Sequence, residues 1–335
     1  MFRVALLSRW HGHAQSPDNR YAKEFLAQTD CQITCVWDPD PMIAKAWGAE
    51  YGVPYYTDLY ALLARDDVDG VLVTSNPIDH REILIAAANA KKHIFTEKVL
   101  SLNLEDALAI REAVVRNGVK FCISFNRLGI KQLIYAKELL ENGTLGEPLH
   151  FRCLCAHDQG YKDTLPAYWY DPAVTGGGAL IDMGFNSTYL ARYIMGDFES
   201  VNTVLNDNCI HKAVEDTAIC TVKFKNGATG TIEATFCTPA MSVFELALYG
   251  TKGAYYTRFG GNALAELRIP GQPNRQIPLE EIPERLESPV KTWVKACTVG
   301  GSDEVYGIDA AVDMVKFMLA AYRSAEEDGK RVIVE

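Results

Sequence analysis

Gly70-Val71-Leu72-Val73-Thr74, then Ser75-Asn76-Pro77-Ile78-Asp79-His80, and later His93-Ile94-Phe95-Thr96-Glu97-Lys98 punctuate the stretch from Val68 to Leu100. The first segment is a short apolar run rich in β-branched residues, the pattern of a parallel strand buried on both faces. The second supplies turn residues, and Asp79 followed by Glu82 has the spacing of a capping box. A helix over Ile83 to Ala90 then closes on Lys91 and Lys92, cations at its negative pole. The third segment is another strand, and it delivers Glu97-Lys98 at its carboxyl end. A strand–helix–strand unit of this kind builds a parallel sheet, and ligands of open parallel sheets sit at that edge. The active site is expected there.

Working outward, Val4-Ala5-Leu6-Leu7 reads as the first strand and Ile33-Thr34-Cys35-Val36-Trp37 as the second, with a helix over about Tyr21 to Gln28 joining them. Pro41 to Tyr51 is a second helix stopped by Gly52, and Thr57 is placed to cap a third through Leu59, Leu62 and Leu63. After the central unit, a helix over Leu104 to Asn117 stops at Gly118, and Phe121 to Phe125 is a further strand. Asp38 ends the second strand. A carboxylate there accepts hydrogen bonds from the ribose of a dinucleotide and repels the extra phosphate of NADP. A plain turn aspartate in Asp38-Pro39-Asp40-Pro41 is the alternative.

The first turn departs from the G-x-G-x-x-G fingerprint. It reads Ser8-Arg9-Trp10-His11-Gly12-His13-Ala14 and lengthens through Gln15-Ser16-Pro17-Asp18-Asn19. Taken alone it leaves two alternatives, a dinucleotide held in a modified way or none. If one is held, backbone N–H groups near Gly12 and the helix start are expected to cradle the pyrophosphate, with Arg9 or His13 adding charge-assisted contacts.

Past Phe125 the pattern changes. A helix over about Ile130 to Glu141 precedes an alternating strand from Pro148 to Ala156. Strands then cluster at Ser200 to Leu205, Thr217 to Lys225, Ala228 to Phe236, Phe244 to Tyr249 and Gly253 to Thr257, with the hairpin signal Asn226-Gly227 between two of them. Strands without intervening helices make an antiparallel sheet. The expected architecture is an α/β Rossmann dinucleotide-binding domain, residues 1–122, followed by an α+β domain with a predominantly antiparallel open sheet, residues 123–335. The last helix, about Asp309 to Glu326, is free to pack back on the first domain.

Two stretches of this half carry chemistry. Gly176-Gly177-Gly178-Ala179-Leu180-Ile181-Asp182-Met183-Gly184-Phe185-Asn186 leads into a helix, and Asp182 and Asn186 share one face of it. A capped helix with satisfied polar residues is the structural alternative. Tyr161 to Asp171 holds Tyr161, Tyr168, Trp169 and Tyr170 beside Lys162 and Asp163, which suits either a sugar or a neighbouring subunit.

The chain has 335 residues, 48% hydrophobic and 23% charged, with a net charge of −10. That balance, with no basic run to offset it, argues against nucleic acid and anionic membrane as partners. No apolar run has the roughly 20 residues of a spanning helix. The strand entered almost at Met1 leaves no room for a signal peptide. Nine cysteines without C-x-x-C spacing favour reduced thiols and a cytoplasmic location over a disulfide framework. Cys153, Cys155 and His157 fall on one strand face and His11 and His13 near the cofactor edge, but alternation produces such sets by chance, so no metal is assigned.

Together these residues resemble the glucose–fructose oxidoreductase / inositol dehydrogenase / rhizopine-catabolism (Gfo/Idh/MocA) superfamily over nearly the whole chain. The likeness rests on the Asp38 strand, Trp47-Gly48 through Pro54, Asp67 to Val71, His80, Lys92 to Lys98, the glycine run with Asp182-Met183-Gly184, and Tyr249 to Gly253. It implies reversible hydride transfer between NAD, in preference to NADP, and a hydroxyl carbon of a sugar, polyol or glycoside. It also implies a homo-oligomer, dimer or tetramer, formed through the second-domain sheet. Cofactor contacts are expected from Ser8, Arg9, Gly12, His13, Asp38, Thr74, Ser75, Asn76, His80, Glu97 and Lys98. By the resemblance Lys98 lies beside nicotinamide and substrate hydroxyl, and Asp182 belongs to the acid–base set.

The family's histidine four residues later is Asn186 here, and the proline after the lysine is Val99. Asparagine cannot take a proton at neutral pH and can only orient substrate. Lys98 is therefore the first candidate base and His157 the second, with Tyr168 and Trp169 as further substrate contacts. Two other functions compete: glycoside cleavage through transient oxidation and elimination, and a catalytically silent regulator that binds NAD or sugar.

Overall fold

The alternation of apolar strands and helices in the first third of the chain folds into a parallel sheet. The computed structural model describes residues 1–15, 19–239, 241–301 and 304–335. Its elements begin with β1 (Phe2–Leu7), α1 (Arg20–Leu26), β2 (Cys31–Trp37), α2 (Pro41–Tyr51), β3 (Tyr55–Tyr56), α3 (Leu59–Leu63), β4 (Gly70–Val73) and α4 (His80–Asn89). Next come β5 (His93–Thr96), α5 (Leu104–Asn117), β6 (Phe121–Ile123), α6 (Lys131–Glu141), β7 (Pro148–Ala156), α7 (Pro172–Thr175) and α8 (Phe185–Met195). Then follow β8 (Phe198–Asn206), β9 (Thr217–Phe224), β10 (Thr229–Thr235), β11 (Val243–Gly250), β12 (Ala254–Phe259), β13 (Leu264–Arg268) and β14 (Arg275–Gln276). The chain ends with α9 (Pro289–Thr298), α10 (Ile308–Glu326) and β15 (Val332–Ile333).

Two compact units form, one from Met1–Phe125 with Glu287–Val315, the other from Asn126–Leu286 with Lys316–Glu335. The sequence boundary at 122/123 lies just before this cut, but it leaves residues 287–315 with the wrong neighbours. The reason is α9, which no expectation covered: its Trp293 is fully buried against Phe2, Phe25 and Phe95, with ring centroids 5.2, 6.3 and 5.8 Å away.

The first unit carries six strands in the order β3-β2-β1-β4-β5-β6, all parallel. This is the doubly wound order, with the strand sequence reversing beside β1 and β4, where such sheets open a crevice. Gly52 and Gly118 close α2 and α5 in the left-handed region, φ +66° and +64°, as their positions require. Two expected caps fail. Asp58, not Thr57, caps α3 by accepting from the N–H groups of Tyr60 and Ala61. Asp79 makes no capping bond to α4, because Asn76 Nδ2 holds its carboxylate at 2.7 Å.

The second unit carries nine strands in the order β14-β13-β12-β11-β7-β10-β9-β8-β15. Pairing is antiparallel except between β10 and β7, which run parallel. Register sorts the faces. Thr203, Cys220, Ile232, Cys153, Leu246 and Thr257 form one row across the sheet, and all are buried. The next row, Val204, Ile219, Glu233, Leu154, Glu245 and Arg258, is on the opposite face and is intermediate or exposed. One face is core and the other is open, as the alternation predicts.

Candidate functional site

The first turn keeps the course of a dinucleotide-binding turn without its glycines. Ser8 follows β1 with φ +62°, a left-handed conformation that glycine adopts more cheaply. Neighbouring strand ends hold it there. Ser8 N donates to the Trp37 carbonyl, Thr74 Oγ donates to the Ser8 carbonyl at 2.6 Å, and His11 N donates to the Thr74 carbonyl. Asp38, 4% exposed, accepts from Arg9 N at 2.8 Å on Oδ2 and from Asp40 N at 3.0 Å on Oδ1. Each oxygen keeps a second lone pair. Of the lengthened loop, residues 16–18 lie outside the described residues.

The two charged side chains expected on the pyrophosphate point to carboxylates instead. The Arg9 guanidinium pairs with Glu50 at 2.8 Å and lies over the Trp47 ring. His13 Nδ1 lies 3.0 Å from Glu97 Oε2. His80, fully buried, places Nδ1 3.0 Å from the Leu100 carbonyl, so it braces the turn after Lys98; burial lowers its pKa.

Glu97 and Lys98 follow directly on β5 (His93–Thr96). Glu97 is 1% exposed, and its Oε1 accepts from Ser124 Oγ at 2.6 Å and Lys98 N at 3.1 Å. Its Oε2 meets His13 Nδ1 and the Tyr21 hydroxyl, with His11 Nδ1 at 3.9 Å. Burial pushes the Glu97 pKa up, but the His11 and His13 imidazoles with the His13 and Ser124 hydrogen bonds outweigh it, so the carboxyl stays well below its usual range. Lys98 N also donates to Ser124 Oγ at 2.9 Å, so the backbone presenting the lysine is fixed twice. Sequence reading found Glu97 and His13 but not their meeting, and it missed Tyr21 and Ser124 altogether.

The fit of a dinucleotide is tested by what these groups leave open. A Cβ built on Gly12 meets nothing within 4 Å, so the turn has room for a close approach to its backbone. Ser75 Oγ, just past β4, and His80 Nε2, at the start of α4, are buried polar atoms without a protein partner among the described residues. Asp38 retains free lone pairs. Donors, acceptor and space suit a diphosphate and a ribose.

In the second unit the glycine run enters a π-type turn, Leu180–Gly184, which carries Asp182 and passes into α8. Glu215 builds this turn: its Oε2 accepts from Gly178 N and its Oε1 from Leu180 N, each at 2.9 Å, and the Tyr322 hydroxyl adds a third bond. Burial raises the Glu215 pKa, and those three donors only partly offset it. Asn186 is engaged within its own helix: Nδ2 donates to the carbonyls of Asp182 and Met183, and Oδ1 accepts from the Tyr189 hydroxyl. These bonds engage the amide expected to orient substrate. His157 stacks on Phe236 at 5.0 Å and accepts from Gln159 N. Tyr168 and Trp169 sit half-buried in a short 3-10 turn, Ala167–Tyr170. Among the described residues, the side-chain groups spaced for a metal are His11, His13 and Glu97, and Cys209, Asp216 and Cys237, not the set around Cys153.

Residues 12–125 match the oxidoreductase family with an NAD-binding Rossmann fold, and residues 133–256 match the GFO/IDH/MocA C-terminal domain. The chain belongs to the Gfo/Idh/MocA oxidoreductase family. Within it, the chain is 36% identical over 206 residues to myo-inositol 2-dehydrogenase of Thermotoga maritima, covering 60% of each chain. It is 27% identical over 243 residues to levoglucosan dehydrogenase of Pseudarthrobacter phenanthrenivorans, covering 65% of this chain and 62% of the relative. The matched part thus spans less than two thirds of these relatives' length. The fold of a levoglucosan dehydrogenase solved with NADH superposes with a TM-score of 0.85 at 22% identity, covering 100% of this chain and 99% of that one. An inositol dehydrogenase homologue of Azotobacter vinelandii solved with NAD+ gives 0.85 at 19% identity, covering 99% and 97%. No helix among the described residues is long and apolar enough to cross a membrane.

Proposed function

We propose that this Gfo/Idh/MocA chain is an NAD-dependent dehydrogenase of a sugar or polyol, with Lys98 as the residue that handles the substrate proton. The observation that carries it is Glu97-Lys98 at the carboxyl end of β5, beside a turn with space and unmatched polar atoms for a dinucleotide. Asp38 would hold the ribose hydroxyls, and Ser75 with the backbone around Gly12 would hold the diphosphate. Bound there, NAD supplies the hydride acceptor. Lys98 handles the hydroxyl proton as hydride leaves, a transfer that correct positioning speeds. Because Asn186 cannot carry a proton, the proton load falls on Lys98 rather than on the family's histidine position. The open face of the second-unit sheet, with Val204 and Ile219 exposed, is the surface for a homo-oligomer.

The test is a screen of sugars and polyols with NAD, read as absorbance of reduced nicotinamide, followed by Lys98→Met on the best substrate. Turnover is expected to fall about 10²–10⁴-fold with NAD affinity nearly intact. Near-wild-type turnover in Lys98→Met would sink the mechanism. Product formed from a glycoside without net NADH would move the assignment to the elimination route.

A further inference from the structure

We propose that His11, His13 and Glu97 bind a divalent first-row transition-metal ion in the first turn of the Rossmann unit. Each offers one ring nitrogen or carboxylate oxygen, and these atoms all lie within 4.8 Å of one another. An ion bound at about 2.0–2.2 Å in tetrahedral geometry sets its donors roughly 3.3–3.6 Å apart. The observed separations straddle that value: 3.0 Å from His13 Nδ1 to Glu97 Oε2, and 3.9 Å from His11 Nδ1 to the same oxygen. The Tyr21 hydroxyl adds a fourth donor atom, 3.2 Å from His13 Nδ1.

The carboxylate is already oriented as a ligand would be. Ser124 Oγ and Lys98 N occupy Oε1, which leaves Oε2 aimed at the two imidazoles. Outer hydrogen bonds of this kind are what aim a ligand at its metal. Imidazole nitrogen with carboxylate oxygen suits zinc, manganese or iron(II) better than magnesium or calcium, which prefer oxygen throughout. On binding, the ion takes the place of the hydrogen bond between His13 Nδ1 and Glu97, and the neutral imidazole keeps its one N–H on Nε2. His11 Nδ1 exchanges the His13 N–H, 3.1 Å away, for the ion. The site accounts for imidazoles standing where a dinucleotide-binding turn carries glycines, and it does not depend on the dehydrogenase assignment.

Zinc is the probe. The full chain, with Cys209→Ser and Cys237→Ser to remove the other cluster, is stripped with a chelator and titrated by calorimetry. Metal content by mass spectrometry and the thermal midpoint are followed in parallel. Expected are one zinc per chain and a midpoint raised by zinc. The pair His11→Ala/His13→Ala should weaken binding about 100-fold or more, since even outer-shell partners are worth about 10–100-fold, and it should abolish the thermal shift. His13→Ala alone, at a side chain 39% exposed, serves if the pair does not fold. No stoichiometric zinc, or affinity unchanged in the variants, overturns the site. NAD binding measured alongside separates the two proposals: NAD without zinc removes only the metal, and zinc without NAD removes only the cofactor assignment.

Discussion

Glu97 and Glu215 are both buried carboxylates, one in each unit, and their environments push them in opposite directions. Glu97 is met by two imidazoles and hydroxyls, and its pKa is held well down despite full burial. Glu215 is met by two backbone N–H groups and a phenol, all neutral, and burial wins, so its pKa rises. Neutral donors satisfy a carboxylate without repaying the cost of taking its charge out of water, whereas groups able to carry positive charge repay it. The difference separates two roles. Glu97 gathers His13, Tyr21, Ser124 and the Lys98 backbone at the edge of the parallel sheet. Glu215 is scaffolding, and it shapes the turn that carries Asp182.

The contrast is tested most sharply by Glu97→Ala. It would strip Ser124, Tyr21, His13 and Lys98 N of their shared acceptor at once, so the first unit should lose roughly 3–5 kcal/mol in urea titration. A loss under about 1 kcal/mol would mean that the cluster is not a unit.

Next in size is a pair of glycines. A Cβ on Gly178 would run into the Glu215 carbonyl, so Gly178→Ala should cost about 1–3 kcal/mol by overpacking. Gly12→Ala, with open space around it, should stay within about 0.5 kcal/mol while weakening NAD binding in a fluorescence titration. Equal stability costs at the two sites would erase the distinction between a packed turn and an open one.

The smallest effect lies in pH. Because the folded pKa of Glu215 is raised above its unfolded value near 4.5, its contribution to stability is full below that value and is lost as pH rises through the folded one. Glu215→Gln cannot titrate. Urea midpoints measured between pH 8 and pH 5 should therefore move in favour of the wild type relative to the variant as pH falls. A difference independent of pH would show that Glu215 is not raised.

Much of the frame was legible from local pattern. The alternation around β4 and β5, Asp38 at the end of β2, and the strands of the second unit all depend on periodicity within a few residues. So do the stops at Gly52 and Gly118, whose left-handed conformation is a property of the residue itself. Local pattern misjudged Thr57 and Asp79, where neighbouring residues compete for the same backbone donors or for the same carboxylate. In the first turn, where the fingerprint is missing, local pattern leaves two alternatives open. Ser8 adopts the left-handed bend there because bonds from Trp37 and Thr74 hold it in place.

Local sequence thus determined which segments are strands and helices, where they stop, and which residues stand at the carboxyl edge of the sheet. Tertiary structure alone decided which of those residues meet. Tyr21 and Glu97 are separated by 76 positions, His13 and Glu97 by 84, and Gly178 and Glu215 by 37. No pattern of short range records such pairs. Their meeting is set by strand order and by burial, since a carboxylate carried inside must find donors wherever the fold brings them.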